Sequence, residues 1–91
     1  MNEKNEVVNH DIILRSRKRL EMSGINEVSS FDEKEIVAQI SGAGISIDGE
    51  NLKIEKFDAE NGLLIINGKI NGIFYYNKDQ KKKKGFMGIF R

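Results

Sequence analysis

The sequence predicts a small all-β domain: an antiparallel sheet of about seven short strands, built as a meander, a sandwich or a rolled sheet. Apolar residues take every second position in Leu20-Glu21-Met22, Ile45-Ser46-Ile47 and Leu52-Lys53-Ile54, which sets them on one face of a strand. Asn61-Gly62 and Asn67-Gly68 bracket the apolar run Leu63 to Ile66, and such pairs readily adopt the positive φ of tight turns. No proline interrupts the chain, so nothing bars any residue of the body from a ladder hydrogen bond.

Taken in order, residues 1–9 are polar apart from Val7 and Val8 and keep neither a helical nor a strand period. They are expected to form a flexible lead-in. The β domain spans 10–77, with strands expected near 10–16, 19–24, 35–41, 44–49, 51–57, 62–67 and 69–77. Phe31 to Ser41 has a helical alternative, because Asp32 can cap and Ile36, Val37 and Ile40 can share a helix face. The alternation of Ile36, Ala38 and Ile40, with β-branched residues at 36, 37 and 40, favours a strand. The pattern apolar-x-apolar-x-Gly recurs at Leu20, Ile45 and Leu64, which fits ordinary hairpins better than a β-solenoid. The expected core is Ile13, Leu20, Met22, Ile36, Ile45, Ile47, Leu52, Ile54, Leu64, Ile66 and Phe74. Edge strands without proline remain open to another chain, so a homo-oligomer paired through a strand edge is expected.

The chain has 91 residues, 38% of them hydrophobic and 32% charged, with no tryptophan. That suits one thin core with a heavily solvated exterior. The longest apolar runs fall far short of the roughly 20 residues of a transmembrane helix. Without cysteine there is no thiolate metal site and no cysteine nucleophile, a composition that fits a reducing compartment. The polar start Met1 to Glu6 lacks the order of a secretory signal, so a cytoplasmic location is expected. The formal charge of +1, from 15 basic and 14 acidic residues, gives no reason to expect nucleic-acid binding.

Residue types able to do chemistry are sparse. His10 is the sole histidine, and its neighbour Asp11 points to the opposite face of a strand. No cluster has metal-ligand spacing, and the carboxylates mostly stand beside lysines, as a solvated face does. Ser41-Gly42-Ala43-Gly44 lacks the ending of a phosphate loop and is expected to be a hairpin turn. No catalytic residue, metal site or cofactor is expected. Two basic features remain. Arg15, Arg17, Lys18 and Arg19 lie within five residues and could grip an anionic partner. The tail, 78–91, joins Lys81, Lys82, Lys83 and Lys84 to Phe86, Met87, Ile89 and Phe90. Lysines and interfacial aromatics together suit reversible contact with an anionic membrane or a partner; the alternative is that the apolar part covers the core.

Several stretches match a known family in order: His10 before an alternating strand, Gly24-Ile25 with Val28, Ser30-Phe31-Asp32, Gly49-Glu50-Asn51-Leu52, Gly62 to Gly68 leading to Tyr76, and Gly85 to Arg91 at the tail. In these the chain resembles the YabP family of sporulation proteins, which includes the YqfC group; the tail looks more like the YabP ending. Ala43-Gly44 before Ile45 departs from the pattern and leaves that turn in doubt. The resemblance implies a non-enzymatic structural or assembly factor of the spore envelope, with the cortex as its layer. It implies action in the mother cell; with its sheet edges and its tail such a factor is expected to bind protein partners of spore assembly, at the periphery of the forespore membrane. The alternative is a small-ligand or glycan-binding module used in spore cell-wall assembly, with Arg15, Arg17 and Tyr75 or Tyr76 in the site.

Overall fold

The structure is a computed structural model and describes residues 9–77. It contains a single antiparallel sheet of six strands and, among the described residues, no helix. In chain order these are β1 (Ile12–Arg15), β2 (Arg19–Met22), β3 (Glu27–Phe31), β4 (Glu35–Ile40), β5 (Ala43–Asp58) and β6 (Leu63–Asn77). The spatial order is β1-β2-β6-β5-β4-β3. Strands β3 to β6 are a meander, and the β1–β2 hairpin adds itself to the outer side of β6.

Two long strands give the sheet its shape. Extended, the 16 residues of β5 would reach about 50 Å, yet the molecule measures 38 × 32 × 20 Å. The pair bends where the register slips, between Glu50 and Lys53, so that Asn51 and Leu52 stand opposite Gly68 alone. Further slips follow Asp48 and Ile54, and bulges of this kind bend and twist a strand. The bend needs bare backbone. A Cβ on Gly49 would sit 2.0 Å from the Lys69 carbonyl oxygen, and one on Gly68 would sit 2.6 Å from that of Asn51.

Bending folds the sheet into two facing leaves around one core. The first leaf brings Leu20, Met22, Leu64 and Ile66 inward, and the second brings Ile36, Ala38, Ile45 and Ile47, all buried. Residues 23–26 cross between the leaves: Ile25 donates its N–H to Gly62 O, and Asn26 donates to Gln39 O. Ile25 itself is buried at this crossing. The architecture is the rolled sheet among the expected alternatives.

Several expectations need correction. The segments 44–49 and 51–57 are one bent strand, as are 62–67 and 69–77, because Gly49 and Asn67-Gly68 serve close approach and not turns. Strand β3 was not expected. Ile13 and Phe74 are not core: they are 47% and 52% exposed. Ile13 pairs with Glu21 and Phe74 with Ser46, so both stand on the outer faces, while Ile12 and Ile73 pack against the core from inside. Ile54 is half-buried, and Ile25, Ala38, Ile40 and Ile70 join the core in addition. The Ser41-Gly42 turn is as expected, with Gly42 at φ 79, whereas Gly44 lies within β5 beneath the Tyr76 ring.

Candidate functional site: the basic hairpin and its cleft

The β1–β2 hairpin turns at Arg15-Ser16-Arg17-Lys18, closed by a 2.9 Å bond from Lys18 N to Arg15 O. Ser16 and Arg17 both have positive φ, 52° and 56°, the type I′ geometry that matches the twist of the flanking strands. The turn lies against the middle of β6. Gly68 donates its N–H to Lys18 O and Ile70 donates to Arg17 O, while Arg17 Nε donates to Ile70 O at 3.1 Å and Nη2 to Asn71 Oδ1 at 3.0 Å. Arg17 therefore clamps the hairpin to the sheet.

The neighbouring arginines are paired. Arg15 and Arg19 both bond the Glu21 carboxylate, at 3.4 and 3.1 Å, and Arg19 also bonds Glu55, which accepts in addition from Asn67 Nδ2. Hydrogen bonds from Arg19 hold the Glu55 and Glu21 carboxyls below their ordinary range, Asn67 adding to the effect at Glu55, and the same bonds raise the Arg19 guanidinium. Lys18 Nζ makes no ion pair among the described residues, and Lys69 has a loose one with Glu50 at 3.9 Å. These two lysines, with Ser16, Asn51, Asn67 and the Gly68 backbone, line an open cleft of about 620 Å³ that Arg17 borders. The cleft offers cations and neutral hydrogen-bonding groups together, a composition suited to an anion carrying hydroxyl or amide groups.

Of the expected basic cluster, Arg17 and Lys18 reach the cleft, and Arg15 and Arg19 lie on the outer face of the first leaf. Sequence reasoning missed Lys69, Asn51 and Asn67, which fold next to the hairpin from positions more than 30 residues downstream. Tyr75 and Tyr76 do not line the cleft. Tyr75 stands edge-on to His10, ring centroids 5.6 Å apart, and its hydroxyl bonds His10 Nε2 at 2.8 Å. His10 Nδ1 donates to Ser23 O at 2.8 Å, so both ring nitrogens tie the entry to β1 across to the end of β6. No group of His, Asp and Glu able to hold a metal occurs among the described residues, nor does any helix long and apolar enough to cross a membrane. The tail residues Lys81, Lys82, Lys83, Lys84, Phe86, Met87, Ile89 and Phe90 lie outside the described residues.

Comparison with known proteins decides the family. The YabP family profile matches residues 6–82, most of the chain. The chain belongs to the YabP family. It is 35% identical over 79 residues to Spore protein YabP of Bacillus subtilis (strain 168), covering 86% of this chain and 79% of that one. The folded sheet lies wholly within the YabP match, as does the cleft, so this is a sporulation protein of the YabP family.

Proposed function

We propose that the protein is a non-enzymatic assembly factor of the spore envelope, acting in the mother cell during cortex formation through protein contacts and peripheral attachment at the forespore membrane. The carrying observation is the division of labour among its side chains. The groups that sequence offers for chemistry hold the sheet together: His10 ties Ser23 to Tyr75, Arg17 clamps the hairpin, and Arg19 joins Glu21 to Glu55. Large apolar groups meanwhile face solvent on the strands at the rims and outer faces: Ile13, Leu14, Phe31, Phe74 and Tyr75. Such surfaces serve contact with other proteins. The family membership and the name of the Bacillus subtilis relative support a spore role.

The test is a fluorescent fusion followed in sporulating cells, with cortex peptidoglycan measured in a deletion strain. The expected result is signal on the mother-cell side of the forespore and thinned cortex without the gene. Uniform signal in both compartments with normal cortex would overturn the reading. The cleft favours a second reading, a small-ligand module for cell-wall fragments. Amide shifts confined to Ser16 to Lys18, Asn51 and Asn67 to Lys69 on adding such fragments would support it.

A further inference from the structure

Strand β1 ends the sheet on one side, paired only with β2 among the described residues. Its backbone orientation follows from two bonds. Asp11 O accepts from Ser23 N at 3.0 Å and Arg15 O accepts from Lys18 N at 2.9 Å. The N–H and C=O of one strand residue point to the same side, and successive residues alternate. Asp11, Ile13 and Arg15 therefore turn their backbone groups to β2, and Ile12 and Leu14 turn theirs to the open edge. Side chains alternate likewise: Ile12 packs on the core, Leu14 shares its inner face at 42% exposure, and Ile13 stands on the outer face between Asp11 and Arg15.

Read along the edge, Asp11-Ile12-Ile13-Leu14-Arg15 is acid, three apolar residues, base. In an antiparallel arrangement this pattern is complementary to itself. We propose that β1 pairs with β1 of a second copy of this chain about a two-fold axis through Ile13, continuing the sheet across the dimer. In that register Ile12 stands opposite the second copy's Leu14, and these are the residues whose N–H and C=O face the open edge. Ile13 meets Ile13 as the closely spaced, non-hydrogen-bonded pair. On the outer face each Asp11 meets the other copy's Arg15, whose guanidinium has donors enough to keep Glu21 as well.

No neighbouring register does this. A shift of one residue puts outward backbone groups against inward ones, and a shift of two sets Asp11 or Arg15, according to its direction, against Ile13 and breaks the Asp11–Arg15 pairing. The opposite edge, β3, is less fit, because its ladder slips between Val28 and Ser30, and bulges blunt edges. The interface is isologous and therefore closes at two copies. It names one partner for the assembly role above and is tested on purified full-length chain, so its failure leaves the spore-localisation test to judge that role.

The chain lacks cysteine, so Ile13→Cys places a single thiol on the proposed axis, where Cα atoms about 4.5 Å apart are within disulfide reach. Mild oxidation should convert most of this variant to a covalent dimer. Arg15→Cys lies on the same face but about 14 Å from its copy in this register, and should remain uncrosslinked. Equal crosslinking of both variants would overturn the proposal. In sedimentation of the unmodified chain, Asp11→Arg and Arg15→Asp should each weaken dimerisation about tenfold, and the double exchange should restore it. A strict monomer at high concentration, or no rescue by the exchange in proteins with wild-type circular dichroism, would also overturn it.

Discussion

Ser16 and Arg17 sit in a left-handed backbone region that L side chains enter at a cost of about 1 kcal/mol or more each, where asparagine and glycine are the usual occupants. Arg17 recovers that cost through its bonds to Ile70 and Asn71. Ser16 has no such compensation, its hydroxyl making no hydrogen bond among the described residues while it borders the cleft. Ser16→Asn should therefore stabilise the fold by up to about 1 kcal/mol, read as a higher urea midpoint at unchanged slope. Arg17→Gly should gain no such benefit, since it gives up the clamp. The second residue-scale consequence concerns acid. Glu21 and Glu55 are held low by Arg19, and Asp58 by the side-chain and backbone N–H groups of Asn61. Folded carboxyls below their unfolded values stabilise the protein above the ordinary carboxylate range and lose that contribution as pH falls through the depressed folded values. The contribution of these three carboxyls should thus be full near neutrality and weaken from about pH 4.5 downward. Glu55→Gln should flatten this acid limb in a melting-temperature series from pH 6 to pH 3; an unchanged slope would count against the Arg19 pairing.

The hinge of β5 and β6 is the element on which the two-leaf shape depends, and it rests on glycine for steric reasons. At Gly49 an added methyl meets the Lys69 carbonyl oxygen, a backbone atom that cannot step aside without moving the strand. At Gly44 the obstacle is the tip of the Tyr76 ring, which can swing out. Gly49→Ala should cost about 1–3 kcal/mol and Gly44→Ala clearly less, measured by urea denaturation of both. These same positions limited what the chain revealed before folding. Alternation exposes β2, β4 and both halves of β5, and apolar runs expose those of β6, but glycine reads alike in a turn and at a close approach, so each long strand reads as two. Strand β3 has Val28 as its one half-buried member, the rest being exposed, and offers no pattern to find. Asp32 shows how the helical alternative arose. Its carboxylate accepts from the N–H groups of Lys34 and Glu35, at 2.7 and 2.8 Å, as a helix cap would, but the chain then turns back as the β3–β4 hairpin.

At the scale of the molecule, the sequence marked the basic cluster but not its neutralisation. Glu55 meets Arg19 across β6, since Arg19 and Lys53 both pair with Asn67, and Lys69 joins Lys18 at the cleft where β6 bends; these are meetings of segments far apart in sequence that local periodicity does not encode. Once Arg15 and Arg19 are paired, the cleft keeps Arg17 and Lys18 as cations without an ion pair among the described residues, Arg17 being tied to neutral oxygens of Ile70 and Asn71, with Lys69 loosely held, which is a weak basis for membrane attraction. The remaining concentration of positive charge is Lys81 to Lys84, beside Phe86, Met87, Ile89 and Phe90. Attachment to an anionic bilayer through this tail has two separable parts, a salt-sensitive one from the lysines and a salt-insensitive one from the apolar groups. Replacing the four lysines with glutamine should remove up to about 4 kcal/mol of binding at low ionic strength, and the loss should shrink as salt is raised. Phe86→Ser with Phe90→Ser should instead weaken binding at every salt concentration. Both variants should keep the wild-type circular dichroism, because among the described residues every member of the core cluster lies between Ile12 and Ile73. Co-sedimentation with vesicles of mixed phosphatidylglycerol and phosphatidylcholine measures both parts. If the intact chain stays in the supernatant at low salt, the tail is no membrane anchor, and attachment at the forespore must come from a protein partner of the sheet.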